Sequence, residues 1–110
     1  MTLPNAARAV IDSAKLRDYL LSQVHPVGRF KAAFFIALGY STDQWEVLRD
    51  DLLALARAAP TALEKSSPFG RMFQVDGILT GPLGRSADVR TVWIVGTAED
   101  LPRFVTAFPR

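Results

Sequence analysis

The hydrophobic period changes at Pro60, and that change limits what the chain can fold into. Before Pro60 the apolar residues recur at helical spacing; after it they alternate with a period of two. The segment just before Pro60 has the clearest helical signals. Ser41 and Gln44 are spaced as a capping box, and Asp43 and Glu46 put carboxylates in the first turn. Trp45, Leu48, Leu52 and Leu55 line one side. Upstream, Phe30, Phe34, Ala37 and Leu38 form an inward stripe for a second helix starting near Val27 or Gly28, and Gly39 suits the left-handed residue that ends it. A first helix is expected over "AKLRDYLLS", capped by Ser13, with Leu16, Tyr19 and Leu20 on one face. "QVHP" breaks it, because Pro26 pushes His25 out of the α region. Residues 8–12, "RAVID", read as a lead-in strand or a loose arm.

Beyond Pro60, "TALEKSS" reads as a strand, "PFG" as a turn and "RMFQVDGILT" as the returning strand. "GPLG" is a strong turn, "RSADVRTVWIVGT" a third strand, "AEDLP" a loop and "RFVTAFP" a fourth strand. Short connections imply an antiparallel meander. The expected fold is therefore α+β: about three N-terminal helices followed by a four-stranded antiparallel sheet packed on them. At 110 residues the chain is expected to be one domain, with an arm or short strand at 1–12, a helical part at 13–59 and the sheet at 61–109.

Strict alternation assigns the faces of the last two strands. Val92 and Ile94, with Val105 and Ala107, make aliphatic sides expected to pack on the helices. Thr91, Trp93 and Val95, with Phe104, Thr106 and Phe108, then form the open face, on which Trp93 is expected roughly opposite Thr106. Arg90 shares parity with Val92 but sits near the strand start, within reach of Asp76, Asp88 or a phosphate.

Composition removes several chemistries. There is no cysteine, so neither disulfides nor thiolate catalysis is available, and one histidine makes a zinc site improbable; no metal or cofactor is expected. No apolar run is long enough to span a membrane, and no secretion signal opens the chain, so a cytoplasmic location is expected. "GPLGRS" is too short for a phosphate-binding P-loop and lacks its lysine. The net charge is only +2, but of 13 cations ten are Arg, the residue suited to bidentate contact with phosphate or carboxylate. The acids of the third helix read as its solvated face.

The candidate site begins at "HPVGRFKAAFF", residues 25–35, which holds the only histidine, followed by Arg29 and Lys31. An imidazole titrates near neutrality and suits proton transfer. Two cations and the first-turn N–H groups of a helix suit an anion. Thr106 offers a hydroxyl, and Trp93 and Phe108 offer rings on which a base can stack.

"HPVGRFKAAFFIALGY", "VDGILTGPLGRSADVRTVWIV" and "PRFVTAFP" together resemble an uncharacterised bacterial domain family, over nearly the whole chain. That family in turn is similar to the barnase–EndoU–colicin–RelE superfamily of small ribonuclease toxins. The resemblance implies a metal-independent ribonuclease toxin with RNA as substrate and a small antitoxin or immunity protein as partner. Carried over by position, it implies His25, Lys31 and Thr106 as catalytic residues and Phe108 as a stacking platform. Arg29, Arg90, Thr91 and Trp93 complete the expected substrate-binding set. Where such toxins carry Tyr in the last motif this chain has Phe108, so a phenol is excluded there. The competing expectation is a non-catalytic module that binds a protein through the mixed sheet face, with Trp93, Phe104 and Phe108 as anchors. An immunity protein itself would be strongly acidic, and the +2 balance argues against it.

Overall fold

The structure, a computed structural model describing residues 1–110, has three helices followed by a four-stranded antiparallel sheet. A short 3₁₀ turn, Ala6–Arg8, precedes them. The first helix, α1, is one α-helical turn, Ser13–Lys15, that widens into a π-helical turn, Leu16–Leu20. There the N–H of Leu21 reaches back to the carbonyl of Leu16 at 2.8 Å. Ser13 lies inside this helix rather than capping it; Asp12 holds the cap position without a side-chain bond. Leu16 and Leu20 are fully buried and Tyr19 is half-buried.

Helix α2 spans Arg29–Ala37. Its inward line is Gly28, Ala32 and Phe35, continued by Leu38, and not the expected Phe30 stripe; Phe30 is 74% exposed. The reason is a close approach. A Cβ at Gly28 would stand 1.9 Å from the carbonyl oxygen of Tyr19, so only glycine lets the start of α2 touch the π turn. With position 28 as the contact, positions four and seven residues on face the same way. Gly39, at φ 106°, ends the helix as expected.

Helix α3, Trp45–Ala58, buries Leu48, Leu52, Leu55 and Ala56. It starts later than the expected capping box: Gln44 holds the cap position without a side-chain bond, Ser41 Oγ accepts the Gln44 N–H at 3.3 Å in the turn before it, and of the two expected carboxylates only Glu46 lies in the first turn. The helix stops two residues before Pro60.

The strands are β1 (Leu63–Ser67), β2 (Gly70–Thr80), β3 (Ser86–Gly96) and β4 (Arg103–Pro109), in the order β1-β2-β3-β4. Helix α3 packs on β2 and α1 reaches β4. Arg8 belongs to the 3₁₀ turn, but the residues after it run as a lead-in: Val10 makes a single parallel bridge to the outer edge of β4, bonding Pro102 and Phe104 at 3.0 Å each.

The two sheet faces are the reverse of the expectation on β3. Thr91, Trp93 and Val95 face the helices and are buried, together with Phe73 and Val75 of β2; Val92 and Ile94 are only partly covered. Burying Trp93 removes far more apolar surface from water than burying an aliphatic neighbour. Its indole N–H donates to Thr91 Oγ1 at 2.8 Å, and that hydroxyl donates to the Val75 carbonyl at 2.7 Å, so neither polar group is stranded. On β4 the alternation itself fails. Val92 pairs with Thr106 but Trp93 pairs with Phe104, leaving Val105 as the extra residue of a bulge. Phe104 and Ala107 thus both enter the core, where Phe104 meets Trp93 edge to face at 5.3 Å, while Thr106 and Phe108 stay half-exposed on the other side. No helix is long and apolar enough to cross a membrane.

Candidate functional site

Three separate elements converge on Tyr19. The π turn holds its phenol at the rim of the sheet, beside β4. Lys31, on the third residue of α2, donates a hydrogen bond from Nζ to Tyr19 Oη at 2.8 Å and another to Thr106 Oγ1 at 3.0 Å. The two oxygens are themselves 3.3 Å apart. The same ammonium lies 5.6 Å from the Phe108 ring centroid and 5.3 Å from that of Tyr19. An ammonium has three N–H donors, and two are engaged here; the third is available to an incoming acceptor.

His25 sits edge to face with the other side of the Tyr19 ring, centroids 5.0 Å apart. Its Nδ1 accepts the backbone N–H groups of Val27 at 3.0 Å and Gly28 at 2.9 Å. That leaves the ring proton on Nε2 in the neutral form, so the ring presents an N–H donor outward. This bond pattern also corrects the expectation of free N–H groups at the start of α2. His25 takes the first two, and the N–H groups of Arg29, Phe30 and Lys31 go to the carbonyls of His25, Val27 and Gly28.

Not every expected residue joins this cluster. Thr91 and Trp93 are buried in the core and touch nothing from outside, because the sheet faces are reversed. The same burial removes Trp93 and Phe104 as anchors of a protein-binding sheet face. Arg90 does lie on the open side, paired across strands with Phe108. Its guanidinium, however, forms a two-pronged bond to Asp76 at 2.9 and 3.1 Å, with Arg110 adding a contact to the same carboxylate at 3.5 Å. Arg29 stands over the exposed Phe30 ring at 4.8 Å.

The electrostatics single out the cluster. Seven arginines pair with carboxylates. Arg57 and Arg85 bond backbone carbonyls. The side-chain cations left with neither are Lys15, Arg29, Lys31 and Lys65, and the first three belong to α1 and the start of α2. Lys15 Nζ is 5.9 Å from the Tyr19 ring centroid. Burial by itself would raise the Tyr19 phenol. Hydrogen bonds with Lys31 and Thr106, and the charges of Lys31 and Lys15, outweigh it and hold the phenol below its ordinary range. None of the three surface depressions is lined by Tyr19, His25, Lys31 or Thr106, so the cluster is an open ledge rather than a cleft. No group of acidic, histidine or cysteine side chains is arranged to hold a metal.

Tyr19 is the member that motif reading passed over. It counts as one more apolar position of a short helix, and nothing in its local sequence shows that its oxygen meets a lysine 12 residues on and a threonine 87 residues on.

Helices ahead of an antiparallel meander, with the Lys31 ammonium meeting the Tyr19 and Thr106 hydroxyls beside the final strand, define an α+β domain with one candidate site. The same architecture occurs in a chain of a contact-dependent growth inhibition toxin–immunity protein complex from Klebsiella pneumoniae 342. The two superpose with a TM-score of 0.74 over 96% of each chain at 18% sequence identity, a likeness of fold. By sequence, the chain belongs to the family described as a domain of unknown function, DUF6883, which matches residues 2–110. No functionally curated protein matches it.

Proposed function

We propose that this protein is a toxin-like domain that cleaves RNA without a metal ion, by attack of a ribose 2′-hydroxyl on the adjacent phosphodiester. The observation that carries this reading is the Lys31 ammonium, which bridges Tyr19 and Thr106 with one N–H donor unspent and no carboxylate to neutralise it. A phosphate oxygen at that donor also comes within the field of Lys15, whose ammonium lies 5.9 Å from the Tyr19 ring centroid. Lys31 stabilises the charge that develops on the phosphorane oxygens, the step where fixed donors contribute most. Thr106 orients the ammonium, His25 offers its Nε2–H to a second phosphate oxygen, and Phe108 stacks a base beside it. Likeness to a chain from a toxin–immunity complex supports the toxin-like part of the reading and, with it, a small antagonist protein as partner.

The test is purified protein with total RNA in the presence of a chelator. The expected products end in a 2′,3′-cyclic phosphate and a 5′-hydroxyl, and Lys31→Ala lowers the rate by about 100-fold or more. Intact RNA after prolonged incubation with the wild type would end the ribonuclease proposal.

A further inference from the structure

We infer that Tyr19 is the general base of this site, taking the proton from the attacking 2′-hydroxyl while Lys31 stabilises the phenolate form. This inference rests on the RNA-cleaving reading above. Three observations lead to it. The phenol oxygen accepts an ammonium hydrogen bond at 2.8 Å, a contact that favours the ionised form. It opens onto the same ledge as Thr106 and Phe108, where a nucleotide would lie. The alternative base, His25, is unsuited: its Nδ1 faces two N–H donors, so the proton belongs on Nε2, the nitrogen that would have to accept.

The charged and titratable groups facing the phenol come from each surrounding element. They are Lys15 from α1, His25 from the turn and Lys31 from α2; β4 contributes only Thr106 and Phe108. Against the burial that would raise it, hydrogen bonds with Lys31 and Thr106 and the charges of Lys31 and Lys15, with no opposing carboxylate, account for the downward displacement of the phenol. The step balances without an added reagent. The 2′ proton passes to Tyr19 Oη as the 2′-oxygen bonds to phosphorus. The P–O5′ bond breaks, and its electron pair leaves on the 5′-oxygen, which takes a proton from water. The phenol then returns its proton to the hydroxide so formed.

The experiment compares single-turnover cleavage by wild type, Tyr19→Phe and Lys31→Met across mildly acid to alkaline pH, with RNA affinity and thermal stability measured alongside. The wild-type rate should rise with pH along a limb below the ionisation of free tyrosine. Tyr19→Phe should lose about 100-fold or more in rate and lose that limb, at unchanged RNA affinity. Lys31→Met should move the limb upward. Phenol absorbance gives a readout independent of cleavage. The protein has two tyrosines, and Tyr40 is pushed far up by burial and by Asp51, so the first phenol to ionise should be Tyr19 and should be missing in Tyr19→Phe. A cleaving wild type matched by Tyr19→Phe in rate and pH profile overturns the base assignment and leaves the ribonuclease reading standing. A wild type that cleaves nothing removes both. Should Tyr19→Phe not fold, an alkaline limb and a phenol ionisation that do not move in Lys31→Met overturn it instead.

Discussion

Thr91 is the one polar side chain that is fully buried, and its hydroxyl is satisfied from both sides, by the Trp93 indole N–H and the Val75 carbonyl. Thr91→Val keeps the shape and strands both partners, so it should destabilise the fold by about 1–3 kcal/mol, measured by urea denaturation. A different residue governs acid behaviour. The Asp76 carboxyl is held below its ordinary range, first by hydrogen bonds from Arg90, with the charges of Arg90 and Arg110 adding to them against partial burial. The unfolded chain therefore binds more protons in mild acid than the folded one. The stabilisation from Asp76 is complete above its unfolded value near 3.8 and is lost as pH falls through the lower folded value. Asp76→Asn should melt earlier than wild type at neutral pH and show a shallower fall in Tm below about pH 4; parallel acid limbs would contradict this. At this scale the sequence pointed to Lys31 and Thr106, which do meet. It could not point to Tyr19, because a tyrosine on an apolar helical face reads the same whether its oxygen reaches water or a lysine.

Among the elements, the contact between α1 and α2 decides whether the cluster exists. The start of α2 touches the Tyr19 backbone through a missing side chain. Gly28→Ala leaves the local backbone conformation allowed, at φ −60°, yet forces the helix off the π turn. It should cost about 1–3 kcal/mol in stability and separate Lys31 from the phenol; Lys31→Ala should cost far less stability. Chemical denaturation of the two variants checks the ordering. Element types and their order were legible from the period change at Pro60, from Gly39 and from the turns around "PFG" and "GPLG". Their rotations were not. The inward face of α2 is set by a backbone contact with a residue nine positions earlier, and the inward face of β3 by where the largest ring and its hydroxyl partner can both be accommodated. Periodicity in one element carries neither.

At the scale of the whole molecule, charge is sparse and mostly self-neutralised. With Lys15, Arg29 and Lys31 as the cations left for a phosphate backbone beside the site, single-stranded RNA binding should weaken with salt at a log–log slope of about −2. Fluorescence anisotropy across a salt series on a catalytically silent variant measures it. A slope several units steeper would mean that a much broader surface engages the strand. The small antagonist proposed as partner would have little long-range attraction to exploit at a net charge of +2. Its association should therefore be modest in rate and insensitive to ionic strength.

The surplus residue in the last strand has an evolutionary corollary. Deleting Val105 would shorten the chain by one small aliphatic and leave its chemistry intact on paper. It would also smooth out the bulge: Phe104 opposite Trp93 and Thr106 opposite Val92 would follow one another directly, the threonine hydroxyl staying outside and the alanine inside. Within a lineage of such domains, loss of one residue at this spot is therefore a length change that the last strand absorbs, whereas the same loss between Thr106 and Pro109 would break the alternation that the bulge preserves.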